Sequence, residues 1–308
     1  MLLDVARCFC GGRLQPGTIS LIAVDTCDRC GYTKTGVGLD DDTVSRLYGG
    51  EHPAAYQGCD GRRFGRVVGG LRARLAATLL TQTNLSRLPA GSLVLDFGCG
   101  QGYFLDALRA NGYKSIGLEI NEASALVARA KGHDVRLGFE ELAGTVCGGA
   151  ASIHVLEHIP DVSTALVQIK AVLRPGSPFC FEVPNFASWQ ARSFRFRWLH
   201  AEPSLHVHHF SLRAFLTLLA SHGFRTVNVS TFSFQHGLLG WIQSIYNLVF
   251  PYNRFFYLIV LNNPLSARLR AWKELLLLPA TTMVAALLLC AEALAGQGAV
   301  IRAEGLVE

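Results

Sequence analysis

The stretch Val94-Leu95-Asp96-Phe97-Gly98-Cys99-Gly100-Gln101-Gly102 decides how the chain is read. An apolar run ends in a turn with glycine at every second position, and a helix-like segment, residues 103–111, follows. Glycine adopts positive φ easily and lets a ligand come close to the backbone, while a helix start offers free N–H groups. Strand, glycine turn and helix in that order make a nucleotide site. A dinucleotide fingerprint needs G-x-G-x-x-G, but the glycines here are 98, 100 and 102, and position 103 is Tyr. Asp96, two residues before the first glycine, would repel a pyrophosphate. It suits a ligand that has no phosphates and carries a positive ammonium and sulfonium, as S-adenosylmethionine (SAM) does. Glu119, at the end of the next strand-like run, is placed to accept hydrogen bonds from two ribose hydroxyls.

Outward from this loop, residues 91–234 alternate between two periodicities. Strand-like runs cover 92–97, 114–120, 151–156, 179–183 and 224–234. Helix-like runs cover 103–111, 122–131, 162–173 and 212–221, stopped by Gly112, Gly132, Arg174-Pro175-Gly176 and Gly223. The alternation predicts a parallel sheet with crossover helices. Composition divides the rest into residues 1–40 (Cys, Gly and Thr, extended near 18–24), 41–90 (Tyr48, Tyr56 and a basic helical run over 62–80), 235–297 (strongly apolar) and 298–308 (a strand at 299–303).

Residues about 92–234 resemble a class I SAM-dependent methyltransferase, of the broad group that includes the ubiquinone-biosynthesis O-methyltransferases. The matching pieces are 94–102, Gly117-Leu118-Glu119-Ile120, His154-Val155-Leu156-Glu157-His158-Ile159 and Val172-Leu173-Arg174-Pro175-Gly176. The resemblance implies an α/β fold with a Rossmann-like seven-stranded class I methyltransferase sheet; the residues outside it add a small N-terminal zinc ribbon and an apolar helical insertion between strands 6 and 7. It implies cofactor contacts at Asp96, Gly98, Cys99, Gly100, Gly102 and Tyr103 in the loop, and at Glu119 and Ile120 after the second strand. Phe139 and Glu140 fall where the family places its adenine contacts, and His154 borders the cofactor. The Asp that commonly opens the fourth strand is replaced by Cys147-Gly148-Gly149-Ala150. His154 and His158, four apart with Glu157 between them, would suit a metal pair if read alone; the resemblance makes them a structural feature of the fold.

A hydroxyl acceptor for a methyl group wants a general base, and histidine is the default near neutral pH. The stretch Leu205-His206-Val207-His208-His209-Phe210-Ser211 precedes a helix with Ser211 as its N-cap. His206 and His209 are therefore candidate bases, or else cap the helix and pack the loop. Arg192, Arg195 and Arg197 interleave with Phe194, Phe196 and Trp198, a pattern that grips phosphate or sugar or forms a solvated loop.

The chain has nine cysteines. Cys8 and Cys10 form one close pair, Cys27 and Cys30 another, each followed directly by glycine. That fits a small zinc ribbon whose four thiolates close a structural site, although one pair is C-x-C rather than C-x-x-C. Some bacterial sugar C-methyltransferases look similar in carrying such a knuckle ahead of the SAM domain. Cys59, Cys99, Cys147, Cys180 and Cys290 are scattered and read as core or surface thiols.

Half of the 308 residues are hydrophobic and 17% are charged, with a net charge of +5. The mean hydropathy is +0.28 and the pI about 8.8. The first ten residues do not read as a signal peptide, and cysteine pairs in such a chain point to a reducing compartment. The expectation is a cytoplasmic protein with peripheral membrane contact. Arg254, Arg268, Arg270 and Lys273 flank the apolar runs, as interfacial helices facing anionic lipid do; a lid or dimer surface is the alternative. The apolar run 275–289 contains Pro279, reads as too short and interrupted to span a membrane, and is expected to form an in-plane or re-entrant helical pair. The expected cofactors are SAM and structural zinc, and the expected acceptor is a small or lipid-linked molecule such as a sugar or quinone precursor. An RNA or protein methyltransferase that uses the ribbon to hold its substrate, and a non-catalytic SAM-binding scaffold, are the competing readings. Nucleic acid is not the expected partner.

Overall fold

The computed structural model describes residues 7–19, 22–35, 63–202, 205–249 and 272–308. Strands β1 (Leu14–Ile19), β2 (Ile22–Cys27) and β3 (Thr33–Thr35) come first. Helix α1 (Arg63–Thr81) then leads into β4 (Leu93–Phe97), α2 (Tyr103–Ala110), β5 (Lys114–Leu118), α3 (Glu122–Ala130) and β6 (Asp134–Arg136). Next come β7 (Gly149–Ile153), α4 (Val162–Ala171), β8 (Pro178–Pro184), α5 (Trp189–Phe194) and the two-residue β9 (His208–His209). Helix α6 (Leu212–Ser221), β10 (Phe224–Ser230), α7 (Phe234–Val249), α8 (Trp272–Leu294) and β11 (Val300–Val307) complete the order.

The helices begin where the sequence supplies caps. Asn121 accepts a hydrogen bond from the Ser124 N–H at 2.9 Å, Asp161 from Thr164 at 3.0 Å and Ser188 from Ala191 at 3.0 Å. Gly112 and Gly132, at φ +81° and +84°, follow the ends of α2 and α3 in the left-handed conformation that only glycine adopts without strain.

Seven strands form the main sheet in the order β10-β11-β8-β7-β4-β5-β6. Strands β6, β5, β4, β7 and β8 pair in parallel, with Asp96 opposite Gly117 on one side and Ala151 on the other. Strand β11 runs against β8: Asn185 N–H donates to Ala299 O, whereas Val307 N–H donates to Ser177 O at the other end. This is the expected Rossmann-like class I methyltransferase sheet. Its order reverses between β4 and β7, and ligands of open α/β sheets bind outside the carboxyl ends of strands at such a point. Val94, Leu105, Leu108, Ala125 and Ala128 fill the space between β4, α2 and α3. Burial of each leucine is worth about 1.5–3 kcal/mol.

The chain divides into two compact units. One comprises residues 39–182, 218–229 and 302–308; the other comprises 1–38, 183–217 and 230–301. The second unit holds a small antiparallel sheet ordered β1-β2-β3-β9, and the helices α7 and α8. Three expectations change at this level. The strand expected over 224–234 ends at Ser230, and α7 starts at Phe234. The last strand is longer than 299–303 and covers Val300–Val307. The apolar run 275–289 is part of one helix that continues through Pro279, so the proline does not divide it. Proline removes one i→i−4 hydrogen bond; packing on α7 through Leu278, Ala285 and Leu289 holds the helix together. Tyr48, Tyr56, Cys59, Arg254, Arg268 and Arg270 lie outside the described residues.

Candidate active site

Strand β4 carries Asp96 into the turn, and the three glycines that follow have different reasons to be glycine. Gly98 has φ +77°, and a Cβ there would stand 2.3 Å from Val155 Cγ2. Gly102 has φ +79° and packs close to Ala128 and His133, so its role is to let α2 meet α3. Gly100, at φ +51°, faces open space and leaves its backbone accessible to a ligand. Glu119 fixes this turn from the next strand. Its Oε2 accepts the Gly100 N–H at 2.9 Å, and its Oε1 accepts the Asn121 N–H at 2.8 Å.

An open cavity of about 230 Å³ lies here, lined by Arg72, Asp96, Gly98, Cys99, Gly100, Gln101, Tyr103, Phe104, Ser124 and Ile153. A larger hollow of about 540 Å³ sits on the cysteine knuckle among Arg7, Arg13 and Arg29, but it has neither the glycine turn nor the carboxylate. Inside the smaller cavity, Asp96 Oδ2 and Ser124 Oγ are buried without a hydrogen-bond partner among the described residues. Buried polar atoms are normally paired, so two orphans beside one cavity mark a place for a polar ligand. Burial, reinforced by repulsion from Glu119, raises the Asp96 pKa from 3.8 to about 7. Burial also pushes Glu119 up, against the two N–H groups that hold it down. Both carboxylates would be relieved by a cationic, hydroxyl-bearing ligand. Arg72 supplies the opposite charge for a carboxylate. An amino-acid end with ammonium and carboxylate, joined to a ribose, fits these residues, and SAM has that chemistry.

Of the other expected cofactor residues, Ile120 is 54% exposed. Phe139 stacks on Phe97 with ring centres 5.5 Å apart, and Glu140 is exposed. His154 follows β7 with φ 56°, a strained value for a non-glycine residue. Its Nε2 lies 3.1 Å from Glu182 Oε1 and its Nδ1 3.4 Å from Glu157 Oε1. Arg302 Nε donates to Glu182 Oε2 at 2.7 Å. Burial disfavours the imidazolium, but Glu157 and Glu182 outweigh it and raise the His154 pKa to about 10. At neutral pH His154 is therefore a held cation rather than a base. Arg72, Ser124, Glu182 and Arg302 carried no motif in the sequence; they come together only through the fold.

In the other unit, the four knuckle sulfurs of Cys8, Cys10, Cys27 and Cys30 all lie within 4.8 Å of one another. Cys8 Sγ is 3.5 Å from Cys30 Sγ, and Cys10 Sγ is 3.5 Å from Cys27 Sγ. Of the candidate bases, His209 belongs to the small sheet and His206 lies two residues before its strand. Residues His208 and His209 form β9 and pair with Lys34 and Thr33. His206 and His209 are both buried; Thr35 Oγ1 donates to His206 O at 2.8 Å, and the His209 ring packs on Phe186 at 4.7 Å. Ser211 Oγ accepts the Ala214 N–H at 3.3 Å, as an N-cap does, and donates to Cys30 O at 2.6 Å. Arg192, Arg195 and Arg197 are exposed, and Arg192 donates to Gln297 at 2.6 Å.

The family model described as "Methyltransferase domain" matches residues 69–229, a little over half of the chain. The chain belongs to the methyltransferase domain family. Within this family it is similar to the C-methyltransferase NovU of Streptomyces niveus, at 33% identity over 47% of this chain and 35% of the relative. It is also similar to the ubiquinone biosynthesis O-methyltransferase of Hahella chejuensis, at 30% identity over 36% of this chain and 50% of the relative. The methyltransferase domain thus spans half or less of the length of these curated relatives. Among solved structures, a chain of the complex of the Haloferax volcanii Trm112 methyltransferase activator with a methyltransferase shares the fold. It aligns with a TM-score of 0.50 and 16% identity over 79% of this chain and 94% of its own.

Proposed function

We propose that the chain is a SAM-dependent methyltransferase acting on a small or lipid-linked acceptor, such as a polyprenyl-linked sugar or a quinone precursor. The observation that carries the SAM reading is the buried Asp96 Oδ2, without a hydrogen-bond partner among the described residues, beside the open Gly100 turn. Asp96, Arg72 and Glu119 would hold the amino-acid end and the ribose, and Ser124 would take a further polar contact. Bound there, SAM supplies an electrophilic methyl group bonded to sulfur. The residues of the chain hold it in line for displacement, which is where much of the rate gain in such a transfer arises. Support for a small acceptor comes from the names of the relatives, a C-methyltransferase and a ubiquinone-biosynthesis O-methyltransferase. Support for a lipid-linked one comes from the apolar helices α7 and α8. His206 and His209 are the proposed acceptor-side groups, on the resemblance to methyltransferases in which a histidine stretch before this helix borders the acceptor.

A structural zinc ion belongs to the same proposal. Tetrahedral zinc with Zn–S bonds of about 2.3 Å needs sulfurs about 3.8 Å apart. The knuckle sulfurs, with two separations of 3.5 Å and every one within 4.8 Å, suit that tetrahedron. Four thiolates leave no open position, so the ion would hold β1, β2 and β3 in place rather than react.

The test is to incubate the protein with methyl-labelled SAM and a cell extract, then separate lipid, water-soluble, RNA and protein fractions. Label in the lipid or small-molecule fractions is the expected result. Label confined to RNA or protein overturns the acceptor class, and intact SAM binding with no label anywhere overturns methyl transfer.

A further inference from the structure

Helix α8 spans 23 residues, and its segment Leu276–Leu294 is long and apolar enough to cross a membrane. Only 17% of its apolar window is buried. Leu276, Ala280, Met283, Leu287, Cys290 and Leu294 repeat at intervals of four and three residues and are all exposed. Leu276, Met283, Leu287 and Leu294 are 70%, 64%, 67% and 91% exposed. With Leu277, Val284 and Ala286 beside them, the bare positions sweep about 180° of the helix at 100° per residue. A monomer in water seldom leaves a continuous apolar surface of this kind uncovered.

The opposite side of α8 is committed to protein. Ala285 and Leu289 pack with Trp241, Ile242 and Tyr246 of α7 and with Phe194. Glu292, 1% exposed, accepts hydrogen bonds from Trp241 Nε1 at 2.8 Å and from Gln190 Nε2 at 3.1 Å. Tyr246 and Thr281 pair through their hydroxyls at 3.0 Å. From Leu276 to Leu294 the helix therefore has one face fixed to polar and aromatic partners and one face bare. A membrane-spanning orientation would take the Glu292–Gln190 pair into hydrocarbon with it, and β11, beginning six residues after Leu294, ties this end to the main sheet.

We propose that the bare face of α8 docks on an anionic lipid surface, with the helix lying parallel to the membrane plane. Two observations favour lipid over a second copy of the chain. From Leu275 to Ala291 the helix has no charged residue, so the flanks of the stripe lack the charges that set register and partner in a coiled-coil seam. The sequence leading into it carries three cations, Arg268, Arg270 and Lys273, against one anion, Glu274, so its net sign complements anionic headgroups. Docking would deliver a lipid-linked acceptor by diffusion in two dimensions, but the docking itself does not rest on methyl transfer.

The test is flotation of the full chain with vesicles of phosphatidylcholine alone and of phosphatidylcholine mixed with phosphatidylglycerol. Light scattering and SAM calorimetry are run on the same samples. The wild type is expected to float, more strongly with phosphatidylglycerol, and high salt should weaken that preference. The exposed-face variant M283E/L287E should lose about a hundredfold in vesicle partition, as expected for two apolar side chains withdrawn from contact with lipid. Its SAM affinity should not change. A second pair, L276E/L294E, at the ends of the stripe, guards against a local folding defect. Flotation of both variants at the wild-type level overturns the proposal. So does a wild type that stays with the aqueous phase as a dimer that M283E/L287E dissociates. Loss of SAM binding in the wild type would instead overturn the cofactor reading and leave the docking result standing.

Discussion

Replacing Asp96 by asparagine should make the ligand-free protein more stable while removing its affinity for SAM. Asp96 is 3% exposed, and burial with the nearby Glu119 raises its pKa from 3.8 to about 7. At about 1.36 kcal/mol per pKa unit, keeping this carboxylate ionised in the empty site costs roughly 4 kcal/mol as an upper figure. The sign follows from linkage. A group whose folded pKa is raised contributes stability that is present below about pH 4 and is lost as pH rises through about 7. An amide in place of the carboxyl cannot ionise and keeps that stability. D96N should therefore melt above the wild type at pH 8, by as much as about 16 °C at 2–4 °C per kcal/mol, and the gap should narrow as pH falls below about 7 and close near pH 4. Calorimetric titration at the same pH values reads the other half. Wild-type SAM affinity should rise about tenfold between pH 6 and pH 8, because the ionised fraction of Asp96 goes from about a tenth to about nine tenths. D96N should show no such rise and little binding. A variant that melts lower than wild type at pH 8, or that binds SAM as tightly, would show that the buried charge is not what the site is built around.

Gly98→Ala forces a Cβ to within 2.3 Å of Val155 at φ +77° and should cost about 1–3 kcal/mol with loss of SAM binding, read by melting and calorimetry; full SAM affinity would count against the glycine argument. Arg302→Met leaves the buried Glu182 with His154 as its cation and should destabilise by about 3–5 kcal/mol in denaturant titrations. His154 contributes stability below about pH 6.5 that is lost as pH rises toward about 10, so His154→Gln should flatten the alkaline limb of the melting curve. Metal analysis of protein purified without chelator should find one zinc per chain, and Cys8→Ser should lower that content and speed amide exchange in β1–β3. His206→Ala and His209→Ala should reduce turnover with SAM affinity unchanged if these rings border the acceptor, whereas unchanged turnover would leave them as packing groups of the small sheet.

The main sheet was legible because its signals are local. The run 94–97 is uniformly apolar apart from Asp96, the glycines punctuate it, and caps such as Asn121 and Asp161 stand where α3 and α4 start. What escaped was either too short to carry a period or created by tertiary contact. Strand β6 has three residues and β9 two, so neither shows alternation. Arg72 reaches the cavity beside Asp96 from a helix 24 positions earlier in the chain, and nothing in the basic run around it distinguishes this arginine from its neighbours. The His206–His209 stretch reads as an acceptor border, yet its backbone completes the small sheet and the cap that follows it, Ser211, ties to the knuckle through Cys30. Proline inside α8 suggested an interruption; the helix packs on α7 and continues past it.

The place of β11 has a consequence for how the protein is made. It lies between β10 and β8, but the ribosome produces it only after α7, α8 and the residues between them. At about 5–20 residues per second, several seconds pass in which β8 and β10 have emerged with the edges that β11 will cover still unpaired. Unpaired edges recruit other strands, so this interval is a window for mispairing that closes only when the seventh strand slots in.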